Sequence, residues 1–367
     1  MSGLRVIIAG GGTGGHIFPA VAVGHALQRL LPGTQLLFVG AKDKMEMEKV
    51  PKEGFEIIGL DIAGFNRSSI WKNILLPVKL LKSRMQAKKI IKEFNPGVIV
   101  GVGGYASFPV LNAGQSMSIP TLIQEQNSYA GKSNKILGRK AKAICVAYPH
   151  MEQFFPKEKI ILTGNPVRKC ISSMNKTRQE GKAWFGLEDK GKTILIVGGS
   201  LGAKSINESI DARLDDIMKE DVNMVWQTGK SYYDQAIKRA NEYKGRVKVL
   251  DFISDMDYAY AAADIVISRA GALAIAELCI AGKPVIFVPY PFAAEDHQTS
   301  NAMALVTNNA ALLVKDNEVK TELVKKLKTV LHDNALQEIM SKNLKAMEIK
   351  DADERIAKKV IEIAGVG

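Results

Sequence analysis

The chain has 367 residues, 46% hydrophobic and 24% charged, with 32 glycines against 13 prolines, which favours two globular domains and excludes a disordered, collagenous or coiled-coil protein. Its formal net charge of +12 is unevenly shared: residues 1–163 hold 21 Lys and Arg against 10 Asp and Glu, residues 164–367 hold 29 against 28, so the first half suits an anionic partner such as nucleic acid, an acidic lipid surface or a pyrophosphate. Cys145, Cys170 and Cys279 lack the spacing of a disulfide framework or a zinc site, the opening MSGLRVIIAGGG lacks a signal peptide's apolar region, and the uncharged stretch 95–124 is too broken by prolines and glycines to read as a membrane span.

Apolar, β-branched runs at residues 5–9, 35–39, 97–102, 121–123 and 143–146 alternate with amphipathic segments of helical length. The series begins again at 193–197, 223–228, 247–250, 265–267 and 285–288. Such alternation predicts an α/β protein with parallel sheets covered on both faces, built as two doubly wound domains. LRVIIAGGGTGGHIFPA at position 4 and KTILIVGGSLGAKSINE at position 192 open the two series alike, as strand, glycine-rich turn and helix. The segment TGNPVR at 163–168 is a natural crossing point. The expected division is therefore 1–163, 164–340 and a helical end, 341–367, that could pack back on the first domain.

Three glycine-rich turns carry the chemistry. Gly10 to Gly15 formally satisfies G-x-G-x-x-G, whose amides at a helix start can receive a phosphate. Yet the second strand ends in Gly40-Ala41-Lys42-Asp43, without the acidic residue that would hold a ribose there. The turn GGSLGAKS at 198–205 resembles a phosphate loop except for Ala203 where a glycine is required. A third turn, GVGGYAS, spans 101–107. An NAD-dependent oxidoreductase and a nucleic-acid-binding module are the rival readings; neither accounts for the second turn together with Arg168 and the Glu277 segment.

The segments GGGTGGHIFPA, GGYASFP, QEQNSYAGKSNK, GNPVR, GGSLGAKSIN and SRAGALAIAELCIAGKP, in this order across nearly the whole chain, resemble the MurG family, which adds N-acetylglucosamine to the lipid-linked muramyl-pentapeptide precursor of bacterial cell wall. The resemblance implies a GT-B arrangement, two Rossmann-like domains facing a cleft, with the sugar nucleotide held mainly by the second. It implies an inverting transfer from UDP-N-acetylglucosamine to an undecaprenyl-linked acceptor at the cytoplasmic face of the membrane, without a cofactor and without nucleic acid.

His16 then lies where it could take the acceptor hydroxyl's proton, and the positive end of its helix favours the neutral imidazole. Glu125, at the end of an apolar strand, is the rival base; the plainer reading is an ion pair with Lys132 or Lys135. For the donor, Ser200 with Gly199 and Gly202 offers a hydroxyl and amides to the phosphates, and Arg168 adds a fixed charge. By similarity, the Ile253 backbone would contact uracil. Ala272, Leu273, Ala274, Ile275 and Ala276 would line the pyrophosphate and ribose. Glu277 would accept from the ribose hydroxyls and Gln298 would face the sugar. Thr13, Gly14, Gly15 and Asn127 would complete the sugar pocket.

Asp255-Met256-Asp257 mimics the D-x-D pair that binds a metal in many glycosyltransferases, but helix capping and first-turn acidity account for it, and no metal site is expected. Residues 69–84, SIWKNILLPVKLLKSR, mix leucines with lysines as an interfacial segment would, with a helix starting near Pro77. An anionic membrane surface is accordingly an expected partner.

Overall fold

In the computed structural model, which describes residues 3–62 and 76–366, the apolar runs form two parallel sheets belonging to two compact units. The first unit comprises residues 1–168 and 351–367. Its strands are β1 (Arg5–Ala9), β2 (Gln35–Ala41), β3 (Glu56–Leu60), β4 (Val98–Gly101), β5 (Thr121–Glu125), β6 (Ala143–Val146) and β7 (Ile160–Leu162), in spatial order β3-β2-β1-β4-β5-β6-β7. The helices α1 (Gly14–Leu30), α2 (Glu46–Lys52), α3 (Leu76–Phe94), α4 (Ser107–Ser116) and α5 (Lys132–Gly138) connect them.

Burial on both faces explains why the inner strands read as unbroken apolar runs. In β1, Val6 and Ile8 face one core with Ile17, Val23 and Leu27 of α1. Ile7 and Ala9 face the other, with Ala87 and Ile91 of α3, Leu111 of α4 and Leu137 of α5. The sequence pattern missed β3 and β7, which are the two edges of this sheet. Edge strands need fewer apolar residues, and Leu162 of β7 is 46% exposed.

The second unit, residues 169–350, has a sheet of β8 (Lys192–Val197), β9 (Val222–Gln227), β10 (Val247–Leu250), β11 (Ile265–Ser268), β12 (Val285–Phe287) and β13 (Leu312–Leu313), in order β10-β9-β8-β11-β12-β13. The unpredicted β13 is again an edge. The helices are α6 (Lys169–Ser172), α7 (Arg178–Trp184), α8 (Lys204–Ala212), α9 (Leu214–Met218), α10 (Tyr233–Ala240), α11 (Met256–Ala262), α12 (Ala272–Ala281), α13 (His297–Val306), α14 (Val319–His332) and α15 (Asn334–Ala346). Asp264 ties α7 to the sheet: it accepts from Arg178 Nη2 at 2.8 Å and from the Thr193 amide at 2.7 Å.

The boundaries differ from those expected at 163/164 and 340/341, falling at 168/169 and 350/351. The linking peptide stays with the first unit because Asn165 is buried beneath β5. It accepts from Gln124 Nε2 at 2.9 Å and donates to the Gln126 carbonyl at 3.0 Å. At the other end α15 packs on α12 of the second unit. Only α16 (Ala352–Ile363) returns to α1, inserting Ile356, Ala357 and Val360 into the core beneath it. Arg29 adds ion pairs to Asp353 at 3.3 Å and Glu354 at 3.0 Å. No helix among the described residues is long and apolar enough to cross a membrane. Of the interfacial stretch, residues 69–75 lie outside the described residues; α3 begins at Leu76.

Candidate active site

In a parallel sheet the ligand groups gather at the carboxyl ends of strands, most often where the strand order reverses. In the first unit that point lies between β1 and β4, and two of the glycine-rich turns leave it. They are packed on one another: the Gly11 amide donates to the Gly103 carbonyl at 3.3 Å. A Cβ on Gly104 would fall 2.1 Å from the Gly11 oxygen, at a φ of +85° that already favours glycine. Turns that read as two separate signals are one structure.

His16 stands in the first turn of α1, half-buried. Its Nδ1 lies 3.1 Å from the Gly11 carbonyl oxygen and 3.1 Å from Thr13 Oγ1. A carbonyl only accepts, so a proton on Nδ1 completes this contact, and in the neutral ring that tautomer has its lone pair on Nε2. The Nε2 edge rests on Gly103, where an added Cβ would come within 2.8 Å. Thr13 is the N-cap residue of α1, with Gly14 and Gly15 opening the helix.

Glu125 ends β5 and is 2% exposed. The ion pair weighed for it with Lys132 or Lys135 is not formed. Its Oε1 accepts from the Asn127 amide at 3.1 Å and Asn127 Nδ2 at 3.3 Å; its Oε2 accepts from the Gly131 amide at 3.2 Å and Asn134 Nδ2 at 2.8 Å. Burial pushes its pKa above the ordinary carboxylate value, while the donors from Asn134 and the 127–131 loop pull the other way. The group folds that loop and sets the position of Asn127. Lys135 instead lies over the rings of Tyr129 at 4.2 Å and Phe154 at 4.4 Å.

In the second unit the order reverses between β8 and β11. After β8, Gly199 and Ser200 are exposed. The turn is held from below by Gln227, which accepts from the Gly198 amide at 3.2 Å and donates to the Gly199 carbonyl at 2.9 Å. After β11, Gly271 is extended and stands at the N-cap of α12, which begins with Ala272 and has no acidic residue in its first turn. A helix N-terminus carries a positive dipole of roughly half an elementary charge, and no acidic side chain of the first turn offsets it here. Ala272, Leu273, Ala274 and Ala276 are half-buried, Ile275 is buried, and Glu277 is 6% exposed with Oε2 accepting from Tyr260 OH at 3.1 Å. After β10 comes Ile253, 5% exposed. After β12, Gln298 in the first turn of α13 accepts from the Tyr290 amide at 2.9 Å, which fixes its carboxamide plane. The two residues before α13, Glu295 and Asp296, both have left-handed backbones, at φ 54° and 51°.

Each predicted donor residue of this unit thus lies at the carboxyl edge of its sheet. Arg168 is the last residue of the first unit and half-buried. The Asp255-Met256-Asp257 pair sits at the start of α11 as expected, but the Asp255 side chain makes no capping bond, so capping does not account for it. Among the described residues, no group of three or more His, Cys, Asp or Glu has the arrangement of a metal site.

Sequence reasoning missed two residues that shape these turns. Arg269, 12% exposed at its side chain, donates to the Val288 and Pro289 carbonyls at 3.0 and 3.1 Å, to Asp316 at 2.6 Å and to Ser205 Oγ at 3.1 Å. It joins the ends of β11 and β12 to the start of α8. Glu46, 1% exposed, accepts from the amides of Gly12 at 2.8 Å and Ala41 at 3.0 Å. A carboxylate therefore occupies the Gly12 amide, one that a dinucleotide's phosphate would need. In KDKMEMEKVP it reads only as one more surface acid.

Residues 6–146 match the glycosyltransferase family 28 N-terminal domain and residues 193–356 the family's C-terminal domain. The chain is 52% identical over 366 residues to a protein of Bacteroides fragilis, covering 98% of this chain and 96% of that one. It is 49% identical over 360 residues to one of Parabacteroides distasonis, covering 98% of each. Both are named UDP-N-acetylglucosamine–N-acetylmuramyl-(pentapeptide) pyrophosphoryl-undecaprenol N-acetylglucosamine transferase. The crystal structure of Acinetobacter baumannii MurG superposes with a TM-score of 0.81 at 32% identity, covering 98% of this chain and 99% of that one. With two Rossmann-like units of the GT-B class and both family domains in order, the chain belongs to glycosyltransferase family 28.

Proposed function

We propose that this glycosyltransferase moves N-acetylglucosamine from UDP-N-acetylglucosamine to the 4-hydroxyl of the muramyl residue of undecaprenyl-pyrophosphoryl-N-acetylmuramyl-pentapeptide, a step of peptidoglycan precursor synthesis. The observation that carries the reading is the equipment of the two reversal points. One has a helix N-terminus with a glycine at its N-cap and no acidic residue in its first turn, with Glu277 further along; the other has a histidine whose Nδ1 faces a carbonyl, so that the neutral ring has Nε2 as its basic nitrogen. A nucleotide diphosphate sugar needs the first, and an attacking hydroxyl needs the second.

The reaction is written as a single displacement. The acceptor oxygen attacks the anomeric carbon while its proton passes to His16 Nε2. The bond from that carbon to the β-phosphate oxygen breaks with inversion, and UDP departs with its charge met by the α12 amides, the 198–202 turn and Arg168. Glu277 holds the ribose hydroxyls, Ile253 borders the uracil and Gln298 meets the amino sugar. Glu125 acts through Asn127 by holding its loop.

The acceptor's lipid requires the enzyme to reach a bilayer. Leu81 and Met85, one turn apart on α3, are 60% and 64% exposed beside exposed Lys79, Lys82 and Lys89. On α5, which covers the same sheet face, Ile136 is 56% exposed with Lys132, Arg139 and Lys140 exposed nearby. Apolar side chains with a basic fringe suit an anionic leaflet, and we assign the enzyme to the cytoplasmic face as a peripheral protein.

Two substitutions test the reading. Glu277→Ala should weaken UDP-N-acetylglucosamine binding roughly tenfold or more in calorimetry, the scale of one lost charged hydrogen bond. His16→Ala should lower kcat on a short-chain acceptor by roughly 10²–10⁴-fold while donor affinity holds. Unchanged donor affinity in the first would remove Glu277 from the site; near-normal turnover in the second would end the assignment of His16.

A further inference from the structure

The Gly11–Gly12 peptide bond makes two hydrogen bonds at once. Its carbonyl, on Gly11, faces His16 Nδ1 at 3.1 Å. Its N–H, on Gly12, donates to Glu46 Oε2 at 2.8 Å. In a trans peptide these two groups point to opposite sides, so one planar unit stands between a buried carboxylate and an imidazole. We propose that Glu46 is a positioning residue for His16, acting through this peptide as the orienting carboxylate of a catalytic dyad acts directly.

The surroundings are shaped for it. Glu46 is 1% exposed and both oxygens are used, Oε1 by the Ala41 amide at 3.0 Å. A Cβ on Gly11 would lie 2.3 Å from Oε1, and one on Gly40 would lie 2.5 Å from the Glu46 Cγ. Gly11 has φ +140°, where glycine is favoured on backbone grounds alone; Gly40 carries no such backbone need, so the space its missing side chain leaves for the carboxylate accounts for it. Hydrogen bonds in series polarise one another, most strongly away from water. The carboxylate makes the Gly12 N–H a more committed donor and the Gly11 oxygen a stronger acceptor. That holds the proton on Nδ1, keeps the lone pair on Nε2, and favours the imidazolium formed when Nε2 takes the acceptor's proton. Thr13 Oγ1, also 3.1 Å from Nδ1, cannot set the tautomer alone, because a hydroxyl both donates and accepts.

This inference rests on His16 being the base, and the experiment separates the two. The full-length protein has five histidines, so ¹⁵N-labelled ring nitrogens can be resolved and His16 identified by the signal missing from His16→Ala. The wild-type ring should be protonated on Nδ1. Glu46→Gln keeps the shape but offers one amide oxygen and one NH₂ where two amides donate. It should shift the His16 ring toward the Nε2–H tautomer and lower kcat roughly tenfold or more, with the donor KM unchanged. A wild-type ring protonated on Nε2 would overturn the inference, and needs no variant. So would a Glu46→Gln enzyme with the wild-type ring spectrum, whether its kcat is normal or falls together with donor affinity as a purely structural defect would make it. Normal turnover in His16→Ala would sink the base assignment and leave the tautomer result standing.

Discussion

Single residues carry the chemistry through the company they keep. Gly103 illustrates this: its φ is +89°, and a Cβ there would press on Nε2 and Cδ2 of His16 at 2.8 Å. On the proposed role of His16, Gly103→Ala should therefore lower kcat by roughly 10- to 100-fold through a displaced imidazole, with UDP-N-acetylglucosamine affinity in calorimetry unchanged. Glu125 makes a stability prediction. Because burial raises its folded pKa above the usual 4.5, the native state binds that proton more tightly than the unfolded chain. The contribution is present below pH 4.5 and is lost as pH rises through the raised folded value, then stays level. Urea unfolding across this range should show wild type losing stability with pH relative to Glu125→Gln; parallel curves would contradict it. His16 could be found in the sequence because it follows a glycine turn that opens a helix. Glu46 could not, since its bond to Gly12 spans 34 positions and nothing around it in the chain announces a buried carboxylate.

At the scale of elements, every inner strand was legible, and of the four edge strands only β10 was. β3, β7 and β13 border their sheets and are bound on one side only, which removes the demand for a continuous apolar run. The helical end expected at 341–367 holds the close of α15 and the whole of α16, which belong to different units. Which helix belongs where depends on the partner face. Leu323 and Leu327 of α14 enter the second unit's core, whereas Ile356 and Val360 of α16 enter that of the first. Ile356→Ala should cost about 2–5 kcal/mol, the range for a truncated, fully buried aliphatic side chain. Urea denaturation followed by probes in each unit should show the loss in the first; a loss confined to the second would mean that α16 is wrongly placed.

For the whole molecule, the proposed approach to the membrane rests on charge and exposed apolar groups. Each Lys or Arg near an anionic leaflet is worth about 1 kcal/mol, decaying over a Debye length of roughly 8 Å at physiological salt. Full-length protein should bind phosphatidylglycerol vesicles at low salt, lose much of that binding at high salt, and lose it further with Leu81→Glu and Met85→Glu. Turnover on a water-soluble acceptor should be unaffected by those two changes; binding insensitive to both would remove α3 from the membrane surface. The recurring strand–turn–helix pattern determined the fold class and the duplication, because these depend on local propensity and on which faces must be apolar, and the six segments carried the resemblance to the family. The tertiary structure alone decided the fusion of the first and third glycine turns, the tautomer of His16, the burial of Glu46, the bonding of Glu125 and the return of α16. Each of these depends on atoms brought together from distant positions, and local pattern holds no record of such meetings.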